Sequence, residues 1–420
     1  MTTEQKSTAV LDQFGFPARW SVHTRREIRR VDRALAAMPP EVRARLEEGR
    51  RAADALVLKQ DAGGSSSGGL ARRVVLVLPF PITTGGMRVQ VELGRMLAAS
   101  GAEVHVRQVR GVDCTDAKYD ACGFASREPV GDPRRLPKVL RELAPATLLM
   151  GCWIDYFAGV ESGAGPVIGY SAGEPTLKET AGFDAAFVEF AHRMHQLPVT
   201  LWSGSHFIEG IFRQRFGRES QFISVPIAGE MFGRDFTAPA RPPFRVILIG
   251  PEHHSTKGVP GALAALDPLR HNGVEVVWVS PEPPTAERAA LADEVHVGLN
   301  AEGVAAAIGS CHALVFPSRL EGLGNPPLEA MALGVPSVLC PNGGSQEYAV
   351  PGENCLQVPY GDAEALRAAV SRLRDEPELV SRIVGQGRET AERYRPATIH
   401  RAVTAFLATR FDDLPFVPLG

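Results

Sequence analysis

Two doubly wound α/β domains with parallel sheets are what the sequence predicts, and three observations carry that reading. The chain's 420 residues exceed one ordinary core and suit two domains of about 150 to 200 residues. From Arg73 onward, short β-branched apolar runs alternate with amphipathic helical stretches, the pattern of βα units on a parallel sheet. The alternation falls into two series, parted by Thr237-Ala-Pro-Ala-Arg-Pro-Pro243, whose prolines have no place in a central strand.

Ahead of the first series, residues 1–60 read as a helical appendage. Ile28, Val31, Leu35 and Met38 recur at helical spacing, Pro39 and Pro40 interrupt, and Val42, Leu46, Ala53 and Leu56 resume, which predicts a helical hairpin with arginine-rich outer faces. Arg25, Arg26, Arg29 and Arg30 offer a basic surface for a phosphate or membrane, set against the simpler reading of a solvated helix face. Residues 61–72, which include Asp61-Ala-Gly-Gly-Ser-Ser-Ser-Gly-Gly69, contain almost nothing to bury and read as a flexible linker.

The first domain is expected over 73–238, with strands at Val74–Leu78, Val104–Arg107, Thr147–Met150, Val167–Tyr170, Val199–Trp202 and Phe222–Val225. The second is expected over 239–400, with strands at Val246–Ile249, Glu275–Val279, Glu294–Val297, Ala313–Phe316, Ser337–Leu339 and Cys355–Val358. A helix or tail over 401–420 is expected to cross back to the first domain. Ligands of doubly wound sheets bind at topological switch points beyond the carboxyl ends of the strands, so a cleft between two such domains is where a site is expected.

Composition removes several function classes. A net charge of −3 gives no general attraction to nucleic acid or anionic lipid. Neither a basic start followed by an apolar run nor a stretch of about 18 apolar residues occurs, so a cytoplasmic protein is expected. Cys114, Cys122, Cys152, Cys311, Cys340 and Cys355 lack CxxC spacing, which argues for reduced, buried thiols rather than disulfides or a zinc site.

The chemistry-bearing segment is Phe316-Pro-Ser-Arg-Leu-Glu-Gly-Leu-Gly-Asn-Pro-Pro-Leu-Glu-Ala-Met-Ala-Leu-Gly-Val-Pro336. A strand ends, a turn carries Glu321, Gly322 and Gly324, and Pro326 and Pro327 suit a helix start with Glu329 in its first turns. Glycines let backbone approach a ligand, amide N–H groups at a helix start attract phosphate, and two carboxylates flank the spot. An isolated turn of this kind is more often a plain helix start. The whole string, however, resembles the E-x7-E segment of retaining, family 4 type glycosyltransferases, from Glu321 to Glu329, together with the Glu-Ala-Met-Ala-x-Gly-x-Pro run that follows.

That resemblance implies the GT-B fold: two Rossmann-like domains with a cleft between them, here with the N-terminal helical appendage added. It extends from Arg73 to about Ala397. By analogy Glu321, Gly322, Leu323 and Gly324 meet the donor sugar, Glu329 holds the ribose hydroxyls, and Asn325 helps bind the diphosphate through its N–H. Gly85 and Gly86 resemble the loop that approaches the donor phosphates from the other domain. Lys257-Gly258 resembles the phosphate-binding lysine and its glycine, whose ammonium offsets charge on the departing diphosphate. His296-Val-Gly298 is similar to the edge that reads the base, and Cys340–Glu347, Pro351–Asn354 and Val358–Asp362 follow the closing strand and loop pattern. The sequence departs from the family at Gly250-Pro-Glu-His-His-Ser-Thr-Lys257, where the usual arginine is missing, leaving His253, His254 or another cation to supply the second charge.

The family is metal-independent and needs no cofactor beyond its substrate, a UDP-, GDP- or dTDP-sugar, and no DxD string occurs in a convincing loop. Lys257 and Glu321 are accordingly the candidate catalytic residues. Trp153, Asp155, Ser171 and Glu174 stand at strand ends toward the expected cleft and are candidates for acceptor contact, with Ser205 and His206 near the junction. The acceptor is a carbohydrate or small molecule, in bacterial glycan or secondary-metabolite biosynthesis. Peripheral membrane contact and a homodimer are further expectations. A sugar-nucleotide epimerase of the same fold and a non-catalytic donor-binding partner remain open, whereas an oxidoreductase lacks its GxGxxG turn after the first strand.

Overall fold

The computed structural model describes residues 18–58, 73–79, 85–111, 113–115, 117–173, 185–233, 242–410, 414 and 416–417. The expected linker over 61–72 and Glu174 lie outside the described residues. The chain divides into two compact units, one of residues 1–224 and 400–420, the other of residues 225–399.

The first unit opens with helices α1 (Ala18–Ala37) and α2 (Pro40–Leu58), with Pro40 as the first residue of the second helix, where its missing N–H costs nothing. Its strands are β1 (Arg73–Leu78), β2 (Glu103–Gln108), β3 (Ser126–Pro129), β4 (Thr147–Met150), β5 (Val167–Ser171), β6 (Val199–Ser203) and β7 (Ser220–Phe222). Between them run α3 (Gly85–Ala99), α4 (Leu136–Arg141), α5 (Tyr156–Ser162), α6 (Ala185–His195) and α7 (His206–Ile211). The strands form one parallel sheet in the order β3-β2-β1-β4-β5-β6-β7. The order reverses between β1 and β4. Near-continuous burial along β1, β4, β5 and β6 fits a sheet covered on both faces.

The helical hairpin does not stand apart. Ile28, Val31 and Leu46 belong to the same buried cluster as Val75, Leu148 and Val199 of the sheet, with Ala34, Leu35 and Met38 packed against it. Arg218, fully buried, ties it down: Nε donates to Asp54 of α2 at 2.7 Å, while Nη1 and Nη2 donate to the carbonyls of Leu197 and Val199 at 3.2 and 2.7 Å. Of the arginines read as a basic surface, Arg30 pairs with Glu161 at 2.9 Å and lies over the Phe157 ring. Side chains of Arg25 and Arg26 lie outside the described residues.

The second unit carries β8 (Phe244–Ile249), α8 (Val259–Arg270), β9 (Val274–Ser280), α9 (Ala286–Ala289), β10 (Glu294–Val297), α10 (Ala301–Gly309), β11 (Ala313–Phe316), α11 (Asn325–Leu333), β12 (Ser337–Leu339), β13 (Leu356–Gln357), α12 (Ala363–Asp375) and α13 (Pro377–Glu392). Its parallel sheet runs β10-β9-β8-β11-β12-β13, so the reversal lies between β8 and β11. Val246, Leu248, Val276, Trp278 and Val315 fill its core with Leu263, Leu266 and Val370 from the covering helices. A last helix, α14 (Pro396–Arg410), begins in the second unit, and from His400 its residues belong to the first. There Ser100 Oγ lies 2.5 Å from His400 Nε2, and Val417 packs beside Gly49 of α2. Five of the six cysteines are buried and Cys122 is half-buried, all without a disulfide. Among the described residues, no helix is long and apolar enough to cross a membrane.

Candidate functional site

The second unit's switch point is built by two loops: residues 250–258 after β8, and residues 317–324 after β11. They are stitched together by backbone. The N–H of Arg319 donates to the carbonyl of Thr256 at 2.8 Å, and the buried hydroxyl of Ser318 lies 3.1 Å from that same oxygen. Gly258 makes the abutment possible: its φ is +67°, and a Cβ there would stand 2.4 Å from the carbonyl oxygen of Pro317.

On this base Lys257 Nζ donates to Glu321 Oε1 at 2.7 Å, the lysine side chain 28% exposed and the glutamate side chain 11%. Ser318 Oγ lies 2.5 Å from the same carboxylate oxygen. Glu321 is held by its backbone as well, its N–H donating to the carbonyl of Asn342 at 2.9 Å in an isolated bridge with Gly343. That brings in a third loop, after β12. Its Gly344 lies so close to Gly322 that a Cβ would stand 2.4 Å from the Gly322 carbonyl carbon and oxygen. Lys257, Glu321 and Gly322, expected to serve one ligand, are therefore brought together by three strand ends around the point where ligands of such sheets bind.

Helix α11 starts at Asn325 after Gly324, whose φ is +86°. The hydroxyl of Tyr348 donates to the Gly324 carbonyl at 2.6 Å, and burial beside Glu321 and Glu329 holds that phenol well above its ordinary range. Pro326 and Pro327 occupy the second and third helical positions and carry no N–H, so Asn325 supplies the first amide of the helix start. Asn325 and Glu329 are both half-buried, and Leu323 is buried. His296 stands elsewhere on the sheet, half-exposed on edge strand β10, two strands from β8, with Nε2 3.4 Å from Glu294.

His254 is half-buried in the loop after β8, edge-on to His253 at 4.6 Å between ring centroids. Burial first, then the neighbouring His253 and Lys257, push its imidazole down to about 3, with Glu321 opposing. His254 is thus neutral near pH 7 and does not supply the second positive charge considered for it. His253 is exposed, with Nε2 3.5 Å from Glu282.

At the first unit's switch point, Gly85 and Gly86 begin α3, while residues 80–84 lie outside the described residues. A Cβ on Gly86 would meet nothing within 4 Å. The acceptor reading needs correction at Trp153. Its ring is 1% exposed, set against Phe187 and Phe190 at 5.5 and 5.8 Å, because α6 covers the turn that follows β4. Asp155 is also buried and takes a two-pronged pair from Arg110 at 3.1 Å on each oxygen, leaving it a structural anion. Ser171 is buried at the end of β5, its hydroxyl without a hydrogen-bond partner among the described residues. Ser205 caps α7 by accepting from the Ile208 N–H, and the exposed His206 bonds Glu209 at 2.8 Å. Sequence reasoning assigned no role to Ser318, Gly344 or Tyr348. Ser318 and Gly344 fall inside strings it quoted and Tyr348 lies one residue past the Cys340–Glu347 string, and only the packing reveals what they hold.

The chain is similar to known proteins in both sequence and fold. The model of the family "Glycosyl transferases group 1" matches residues 243–403. The MMP alpha-(1->4)-mannosyltransferase of Mycolicibacterium hassiacum is 34% identical over 157 residues, 35% of this chain and 38% of that protein. The putative glycosyltransferase EpsD of Bacillus subtilis is 36% identical over 83 residues, 20% of this chain and 22% of its own. The chain thus aligns with well under half the length of these curated relatives. Among solved structures, sucrose-phosphate synthase from Thermosynechococcus elongatus superposes with a TM-score of 0.66 at 18% identity, covering 81% of this chain and 99% of the other. Anabaena HepE in complex with UDP and glucose superposes at 0.68 and 13% identity, covering 80% and 100%. The chain therefore has the GT-B fold, two Rossmann-like parallel-sheet units, and its residues 243–403 match the glycosyl transferases group 1 family.

Proposed function

We propose that this protein moves a hexosyl group from a nucleotide-diphosphate sugar to a hydroxyl acceptor, with retained anomeric configuration and without a metal ion. The observation that carries the reading is the Lys257–Glu321 contact at the switch point of the second unit, on the loop that leads into the helix carrying Asn325 and Glu329. A lysine held by its partner is oriented before any ligand arrives, which lowers the ordering cost of offsetting charge on a leaving diphosphate. Glu329 suits the ribose hydroxyls and Glu321 the sugar. In the transfer the bond from C1 to the phosphate oxygen breaks as the bond from C1 to the acceptor oxygen forms on the same face. The acceptor proton passes to the departing phosphate. A relative named for mannosyl transfer supports hexosyl transfer, and a neighbour solved with UDP and glucose supports a nucleotide-sugar donor.

The test is incubation with UDP-, GDP- and dTDP-hexoses and an acceptor panel, following nucleoside diphosphate release and the product's anomeric configuration by NMR. Acceptor-dependent release with retention is expected. Donor consumed without acceptor would indicate an epimerase, an inverted product would remove retention, and binding without turnover would indicate a non-catalytic partner.

A further inference from the structure

Several of the positive groups named at this site are already engaged. Lys257 is already countered by Glu321 at 2.7 Å. The start of α11 has lost two amide donors to Pro326 and Pro327. His253 is turned toward Glu282. His254, by contrast, is half-buried and shares the loop of Lys257, whose N–H donates to its carbonyl at 2.9 Å, while among the described residues its ring has no hydrogen-bond partner and touches the His253 ring. An imidazole partly removed from water with both nitrogens unspent carries a desolvation cost that a ligand acceptor would relieve. Burial, His253 and Lys257 keep the ring neutral above pH 6 against the opposing pull of the Glu321 carboxylate.

We propose that His254 determines anion affinity at this site by donating a ring N–H to a phosphate oxygen of the nucleoside diphosphate, a hydrogen bond standing where a second cation would otherwise be needed. The proposal rests on the nucleotide-sugar reading above. It sets the full positive charge of Lys257 beside a neutral donor whose tautomer the bound phosphate selects.

The experiment titrates UDP, GDP and dTDP calorimetrically into the wild type, His254→Ala and His254→Gln at pH 6, 7 and 8, with unfolding midpoints measured on each. For the diphosphate bound by the wild type, His254→Ala is expected to weaken binding about 10- to 100-fold, the loss of a hydrogen bond to a charged group. His254→Gln, which keeps a neutral donor, is expected to recover most of that loss. The ratio of wild-type to His254→Ala affinity is expected to stay within about threefold across the pH series, because the diphosphate's own titration acts on both proteins and a ring that never charges in this range has no proton to give up. Unchanged affinity in His254→Ala overturns the proposal. So does that ratio falling about tenfold per pH unit with no rescue by Gln, the signature of a cationic imidazole. Binding of none of the three diphosphates overturns the nucleotide-sugar reading itself, and this proposal with it.

Discussion

Gly344→Ala tests whether backbone proximity shapes the site. Gly344 does not have a positive φ, so alanine is tolerated by its backbone and any effect comes from the added methyl. That methyl would stand 2.4 Å from the Gly322 carbonyl carbon and oxygen and 2.5 Å from the Leu323 nitrogen. Each contact is about 1 Å short of van der Waals separation, and the neighbours are main chain, which has no rotamer to change. Either the loop after β12 or residues 322–323 must move by about that amount. Overpacking of this kind costs about 1 to 3 kcal/mol of stability, and a 1 Å displacement of positioning backbone costs about 100-fold in turnover. Gly385→Ala is the control: it lies in α13, a Cβ there meets nothing within 4 Å, and alanine should stabilise the helix by up to about 1 kcal/mol. The assay is urea unfolding together with turnover of the donor identified in the transfer screen. Gly344→Ala with wild-type turnover would show that Gly322 and Leu323 need not be held where they are.

Three further outcomes follow from named contacts. Glu329→Ala should weaken nucleotide binding by about 1 to 3 kcal/mol by calorimetry, and unchanged affinity would remove Glu329 from the site. Arg218→Met should lower stability by about 3 kcal/mol or more in urea unfolding, since it leaves Asp54 without its buried guanidinium partner and removes a donor from the carbonyls of His195, Leu197 and Val199. His195 is buried, stacked on Phe216 at 4.1 Å and bonded through Nδ1 to the Ala191 carbonyl at 2.7 Å, and burial pushes its imidazole down to about 3. Its unfolded form takes up a proton near pH 6.5 while the folded form stays neutral, so stability is full above that pH and falls as pH drops toward 3. Between pH 7 and 5 the loss is about 2 kcal/mol, and His195→Phe should reduce the wild type's pH dependence by that amount, whatever His254 adds in both proteins. Equal pH dependence in the two would refute it.

Much of this architecture was legible in the residues. Apolar β-branched runs located both sheets because their strands are covered on two faces, and the second series appears as the six-stranded sheet. What the pattern missed is β3, Ser126–Pro129, a polar edge strand with no apolar signature that is recognised only through its pairing with β2. The first-unit edge strand expected at Phe222–Val225 lies instead at Ser220–Phe222, and the last strand shortens from Cys355–Val358 to Leu356–Gln357. The family resemblance assigned Glu321 and Lys257 to one ligand, but their contact depends on Gly258 and Ser318 meeting Pro317 and Thr256 across two loops. Trp153 misled because a tryptophan beside an aspartate at a strand end reads as a ligand contact until the helix that covers it is placed. His254 could be named from sequence, but its neutrality comes from burial beside Lys257 and His253, which composition does not reveal.

The central claim is that the Lys257–Glu321 pair marks a nucleotide-diphosphate site. Calorimetric titration of UDP-, GDP- and dTDP-sugars into the wild type and Lys257→Ala tests it most directly. One donor should bind the wild type at one site per chain, raise its unfolding temperature, and bind Lys257→Ala at least about 10-fold more weakly. Equal affinity in the two proteins, or no binding by any of the three, would contradict the account.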